Sequence, residues 1–116
     1  MKRVQLVGPM TGIALWNYPA FHEAATLLRG QGFDVFDPSE TGGRDTSLPR
    51  SFYMRAAIGG LLHAECVVTL PGWETSPGAK TEVRVALALG IPVVSLSHFL
   101  YMSPLVEMGL RGGPDD

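Results

Sequence analysis

Apolar and polar positions along the chain follow two periods, and the switches between them mark the elements. Val4-Gln5-Leu6-Val7 is a short, mostly apolar run stopped by Gly8-Pro9, the pattern of a strand ending in a turn. Over residues 17–31, Phe21, Ala24, Ala25 and Leu28 recur at helical spacing, Pro19 comes early, and Gly30 and Gly32 close the segment. Phe33-Asp34-Val35-Phe36 predicts a second strand, stopped by Asp37-Pro38. Residues 41–49 are polar and glycine-bearing, which predicts a mobile loop. Met54, Ile58, Leu61 and Leu62 predict a helix over 51–64, and residues 66–70 a third strand ended by Pro71-Gly72. Residues 78–89 predict a helix closed by Gly90, residues 92–96 a fourth strand, and residues 98–109 a last helix.

Strands that alternate with helices, and are apolar almost without interruption, indicate a parallel sheet covered on both faces. The expected fold is α/β: a doubly wound, flavodoxin-like (Rossmann-like) parallel sheet of four or five strands. Residues 1–110 would form a single domain and residues 111–116 a flexible tail. In such sheets ligands bind at the carboxyl ends of the strands, near the switch in strand order. The turns Gly8-Pro9, Asp37-Pro38 and Pro71-Gly72 all fall on that edge.

Composition narrows the function classes. With 116 residues, a net charge of −2 and only 17% charged residues, the chain lacks the basic stripe that nucleic-acid binding requires. At 46% hydrophobic residues, global disorder is excluded. The single cysteine, Cys66, lies in an apolar run and reads as a small buried thiol. His22, His63 and His98 show no metal-ligand spacing, so neither a metal nor another cofactor is expected. Lys2 and Arg3 lead straight into a strand rather than a signal-peptide apolar region, and no stretch approaches a membrane span. The expected location is cytoplasmic, with no membrane partner.

Candidate chemistry gathers at two glycine-bearing turns. Ser76-Pro77 is a good N-cap and first-turn pair, so the third helix starts there, with Gly78 allowing close approach to its first turn. An anion at this helix end and a purely structural cap are both consistent with the residues. On the helical wheel Lys80 and Arg84 form the solvent face, and Glu82 points inward amid Ala79, Val83, Val85, Ala86 and Leu89. An inward carboxylate is costly unless paired, for example by Arg55 or a backbone N–H, or used in chemistry. The first loop, Gly8-Pro9-Met10-Thr11-Gly12, matches neither the dinucleotide fingerprint nor the triphosphate loop. Its glycines still let backbone N–H groups face a sugar or phosphate, and Trp16, Tyr18 and Trp73 could stack on a base or merely cover the sheet edge.

Taken together, Gly8-Pro9-Met10-Thr11-Gly12, Tyr18-Pro19-Ala20-Phe21, Leu70-Pro71-Gly72-Trp73-Glu74 and the spacing Ser76-x-Gly78-x-x-x-Glu82 resemble a small bacterial and phage family. That family is related to the nucleoside 2-deoxyribosyltransferases and the deoxynucleoside-monophosphate N-glycosidases. The resemblance implies cleavage of an N-glycosidic bond, by hydrolysis or transfer, in a (deoxy)nucleoside 5′-monophosphate-like substrate. Glu82 would be the catalytic nucleophile on the anomeric carbon. Ser76 and Gly78 would hold the 5′ group, residues 8–12 the sugar or phosphate, with Trp73 beside the substrate. Ser103 would be lent to a neighbouring subunit's site, which implies a homodimer or higher homo-oligomer with shared sites.

Two positions depart from that pattern. Ala57 stands where an aspartate that orients the sugar or handles a proton is expected, and Gln5 where a tyrosine is expected on strand one. Asp37, Asp45 and Glu74 are the replacement candidates for the missing acid. A nucleotide-binding or sensing module without turnover is therefore the alternative. A third reading, a phosphoribohydrolase of the cytokinin-releasing kind, wants a longer glycine run and more basic residues at the turn than Lys80 alone.

Overall fold

A computed structural model describes residues 2–44 and 47–107. Four strands, β1 (Arg3–Val7), β2 (Asp34–Phe36), β3 (Cys66–Thr69) and β4 (Val93–Ser95), form one sheet in the order β2-β1-β3-β4, every pair parallel. Four long helices connect and cover them: α1 (Tyr18–Gly30), α2 (Arg50–Leu61), α3 (Pro77–Ala88) and α4 (Leu96–Glu107). This is the α/β flavodoxin-like order, in which the chain reverses direction across the sheet between β1 and β3.

Alternation along the strands sorts two cores. Val4 and Leu6 of β1, with Val35, Cys66, Val68 and Leu70, pack under Phe21, Ala24, Ala25 and Leu28 of α1, flanked by Phe99 and Leu100 of α4. Val7 and Val67 face the other way, against Leu61 of α2 and Ala79, Val83 and Ala86 of α3. Cys66 is buried, and burial pushes its thiol above the ordinary range, as an inert packing residue requires. Leu62 and Leu89, counted among the inward apolar positions of their helices, are exposed instead.

The segment expected to be a mobile loop differs. Its first part belongs to a 3-10 helix, Pro38–Arg44. Asp37 starts it by accepting a hydrogen bond from the Ser39 amide at 2.8 Å, and Arg29 ties it to α1 through a two-pronged bond to the Glu40 carboxylate. Gly42 has φ +70°, and a Cβ there would lie 2.7 Å from Leu48 Cδ1, so Leu48 packs directly over its backbone. Residues 45 and 46, and the tail beyond residue 107, lie outside the described residues. The last strand ends at Ser95 rather than residue 96, because the Ser95 hydroxyl accepts from the His98 amide and caps α4 at once.

The two positions that depart from the expected pattern touch each other. Gln5 is fully buried, and its Nε2 donates to the Ala57 carbonyl at 2.7 Å. Its Oε1 faces α2 where a Cβ on Gly60 would come within 2.6 Å. Gly60→Ala is therefore expected to destabilise the fold by about 1–3 kcal/mol through overpacking. Gly59, one residue earlier with open space around it, should respond to Ala with a gain of ~0.4–1 kcal/mol. Denaturant midpoints at unchanged slope would check this opposite pair of signs.

Candidate functional site

A pocket of about 330 Å³ lies at the carboxyl ends of β1 and β3, where the fold places ligands. Gly8, Met10 and Thr11 line it from the loop after β1, and Ser76, Gly78, Ala79 and Glu82 from α3. The third wall is α2 with the segment before it: Leu48, Arg50, Tyr53, Met54 and Ala57. Trp16, Tyr18 and Pro38 complete the mouth.

The loop after β1 is shaped by close approach and strain. A Cβ on Gly8 would sit 2.9 Å from Leu70 Cβ, so only glycine lets the two strand ends lie side by side. Further on, Leu15, Trp16 and Asn17 all adopt left-handed backbone, with φ of 54°, 55° and 61°. Such residues cost about 1–2 kcal/mol each. The Asn17 side chain fastens this turn back to the Pro9 carbonyl at 2.9 Å, holding Trp16 at the pocket mouth.

On α3, Ser76 caps the helix by accepting from the Ala79 amide at 3.2 Å, and Pro77 opens the first turn. Glu82 lies one turn further, half-buried in the pocket wall. Desolvation alone pushes its carboxyl up from 4.5 to about 7. Among the described residues no neighbouring base relieves it, so Arg55 is not its partner. At neutral pH the group divides between acid and carboxylate forms, and its carboxylate is poorly solvated. Such a group can attack an electrophilic carbon or carry a proton.

Not every expected residue reaches the pocket. Pro9 is buried beneath the loop and Gly12 turns at its exposed edge with φ +84°. Trp73 packs instead against the core between the sheet and α3, because a 3-10 turn, Trp73–Thr75, folds it away from the cleft. The side chain of Ser103 and all of Asp45 fall outside the described residues. Asp37 is committed to its turn and Glu74 is exposed, and neither lines the pocket. Lys80, assigned to the solvent face, is half-buried, whereas Arg84 is exposed as expected.

Arg50, Tyr53 and Met54 were not foreseen as lining residues. For Arg50 a signal was present: a cation in the first turn of a helix opposes the helix dipole. Such a local misfit stands out in an otherwise consistent sequence.

An α/β flavodoxin-like domain with a desolvated glutamate at its switch point is thus defined. Residues 2–95 match the family model described as Domain of unknown function (DUF4406), and the chain belongs to that family. Among solved structures it is similar to a 2-desoxiribosyltransferase from Leishmania mexicana, at a TM-score of 0.65 and 14% identity. The alignment covers 82% of this chain and 63% of the Leishmania chain, a likeness of fold. None of the curated proteins matches. Among the described residues no helix is long and apolar enough to cross a membrane, and no cluster of three or more His, Cys, Asp or Glu could hold a metal.

The Glu82 shift makes a stability prediction. Its folded pKa is raised, so the folded state prefers the proton, and ionisation costs stability. That cost is absent below pH 4.5, grows as pH rises, and is complete above about 7. Glu82→Gln is expected to stabilise the protein at pH 8 by about 1–3 kcal/mol. At pH 4.5 the gain should nearly vanish. Denaturant midpoints at the two pH values would check it, and an equal gain at both would mean that burial of charge is not the cause.

Proposed function

We propose that this protein cleaves the N-glycosidic bond of a small (deoxy)nucleoside 5′-monophosphate-like substrate, with Glu82 as nucleophile. The observation that carries the reading is the desolvated Glu82 carboxyl in a pocket walled by two glycine-bearing turns. The motif resemblance and the fold shared with an enzyme whose name denotes 2-deoxyribosyl transfer support it.

In the first step a Glu82 carboxylate oxygen forms a bond to C1′ as the C1′–N bond breaks, through an oxocarbenium-like transition state. The base leaves with the bonding pair and takes up a proton. Water, or a second base, then attacks C1′ and releases to solvent the proton that balances the one taken up, the ester to Glu82 breaks, and the carboxylate is regenerated. The Ser76–Gly78 turn would hold the 5′ group, and Gly8, Met10 and Thr11 the sugar. Fixing C1′ against Glu82 in this way accounts for much of the acceleration. Trp16 at the mouth offers a face for the base.

One observation favours a second reading. Ala57 lines the pocket where the related enzymes are expected to carry an aspartate, and among the described residues Glu82 is the only carboxylate in the lining. A module that binds nucleotides without turnover would need no second acid. In either reading we propose a homodimer in which Ser103 serves the partner's site; exposed Tyr101 and Met102 on α4 suit such an interface.

Incubation with the common nucleoside and deoxynucleoside 5′-monophosphates, followed by chromatography for free base, tests the main reading. Release is expected from the wild type and a loss of at least 100-fold in Glu82→Gln. A nucleophile must be ionised, so kcat/KM should rise with pH through about 7, the pKa of Glu82 in the free protein. Thermal stabilisation by a nucleotide without any base release would instead establish the binding module.

A further inference from the structure

We propose that Arg50 is the specificity residue that makes the pocket select a phosphorylated ligand over the free nucleoside. The inference rests on the reading above that a nucleotide-like molecule occupies this pocket, and adds which group recognises its phosphate.

The starting point is a shortage of donors at the α3 end. Pro77 has no N–H, the Ala79 amide is already taken by Ser76, and the Lys80 amide is bonded to the Ser76 carbonyl at 2.9 Å. Among the first-turn amides only that of Gly78 remains, with the Ser76 hydroxyl proton beside it. Two neutral donors are a poor match for a dianion that presents three strong acceptor oxygens. A cation is needed within reach of the same spot.

Arg50 meets that need by position. A Cβ placed on Gly78 would lie 3.6 Å from Arg50 Nη2 and 3.4 Å from Met54 Cε. With no side chain on Gly78, the guanidinium of the otherwise exposed Arg50 comes close to the first turn of α3 at the edge of the pocket. An anion in the pocket at that edge would meet both sets of donors. Arg50 has no hydrogen bond or ion pair among the described residues. Glu82, in the same pocket, is shifted by desolvation alone, so the guanidinium is not spent on the pocket's own carboxylate.

The surrounding field has the same sign. Arg50 opens α2, whose cap Pro49 makes no side-chain bond, and neither α2 nor α3 carries an acidic residue in its first turn. Two positive helix ends without first-turn acids and a guanidinium thus face the pocket, against Glu82 as the one carboxylate in its described lining. This arrangement costs the free protein stability, and a bound anion relieves it. Arginine also offers a planar pair of donors, which suits phosphate geometry.

Isothermal titration of the wild type, Arg50→Met and Arg50→Lys with the four common 2′-deoxynucleosides and their 5′-monophosphates tests the assignment. The wild type is expected to prefer a monophosphate over its nucleoside by at least 100-fold. That preference should fall below 10-fold in Arg50→Met and be recovered only in part in Arg50→Lys, which keeps the charge and loses the planar donor pair, with the melting temperature of Arg50→Met no lower than that of the wild type. A preference that survives in Arg50→Met, a wild type without preference, or equal weakening of both ligands would overturn it. Base release by the wild type is scored separately. Phosphate preference lost in Arg50→Met without base release from the wild type would retain Arg50 and refute Glu82 as nucleophile; release without preference would do the reverse.

Discussion

The whole arrangement depends on how closely β1 and β3 run together at their carboxyl ends. Their parallel pairing extends past the last residue of β3, where the Leu70 amide donates to the Val7 carbonyl at 2.8 Å. That places the Leu70 side chain against the Gly8 backbone, at a distance that excludes any Cβ on residue 8. Both chains must then leave the sheet in opposite directions, one toward α1 and the other toward α3. The gap they open is the pocket. A larger residue at position 8 would separate the strands and remove the floor on which the ligand edge is built.

From that gap follows the electrostatic character of the site. Glu82 enters it from the second turn of α3, on the side of the helix that also carries Ala79, Val83 and Ala86 into the core. It therefore faces the pocket and not the outer surface of the helix, and the helix is held by those three buried residues. Packing that stabilises α3 thus holds the carboxyl in a poorly solvating place. The same helix brings its positive end to the pocket beside Arg50, so in the proposed function one rigid element would supply both the nucleophile and part of the anchor. The spacing between them is set by helix geometry rather than by loop conformation, which is what preorganisation requires.

Much of this was legible from hydrophobic spacing because the strands are buried on both sides and the helices amphipathic. Those are strong, local, periodic signals, and they led to the parallel sheet, to its ligand edge and to an inward Glu82. What escaped depends on contacts between distant residues. The 3-10 helix at residues 38–44 is held by Arg29 from the end of α1 and by Leu48 packed over Gly42, and neither contact has a local pattern. Trp73 looked like a ligand-facing aromatic because it follows a glycine turn, yet the turn's direction, invisible in spacing, sends it to the core. Arg50 carries no apolar period to mark it, and its one oddity, a cation at a helix start, is a matter of charge.

The two departures from the expected pattern make physical sense as a pair. Ala57 lies in the pocket wall on α2, facing the helix that bears Glu82. An aspartate there would put a second carboxylate into a cavity that already fails to solvate the first, and like charges in such a place push one another toward the acid form. With Ala57, Glu82 answers only to desolvation and ionises near neutral pH. Gln5 fits the same arrangement from beneath, since its amide holds the Ala57 carbonyl at 2.7 Å and lies against Gly60 too closely for any Cβ there. A neutral, buried amide can fasten α2 to β1 without adding a titrating group to the site. Gln5, Ala57 and Gly60 thus act as one unit that sets the position of α2, and with it the place of Arg50 at the helix's other end.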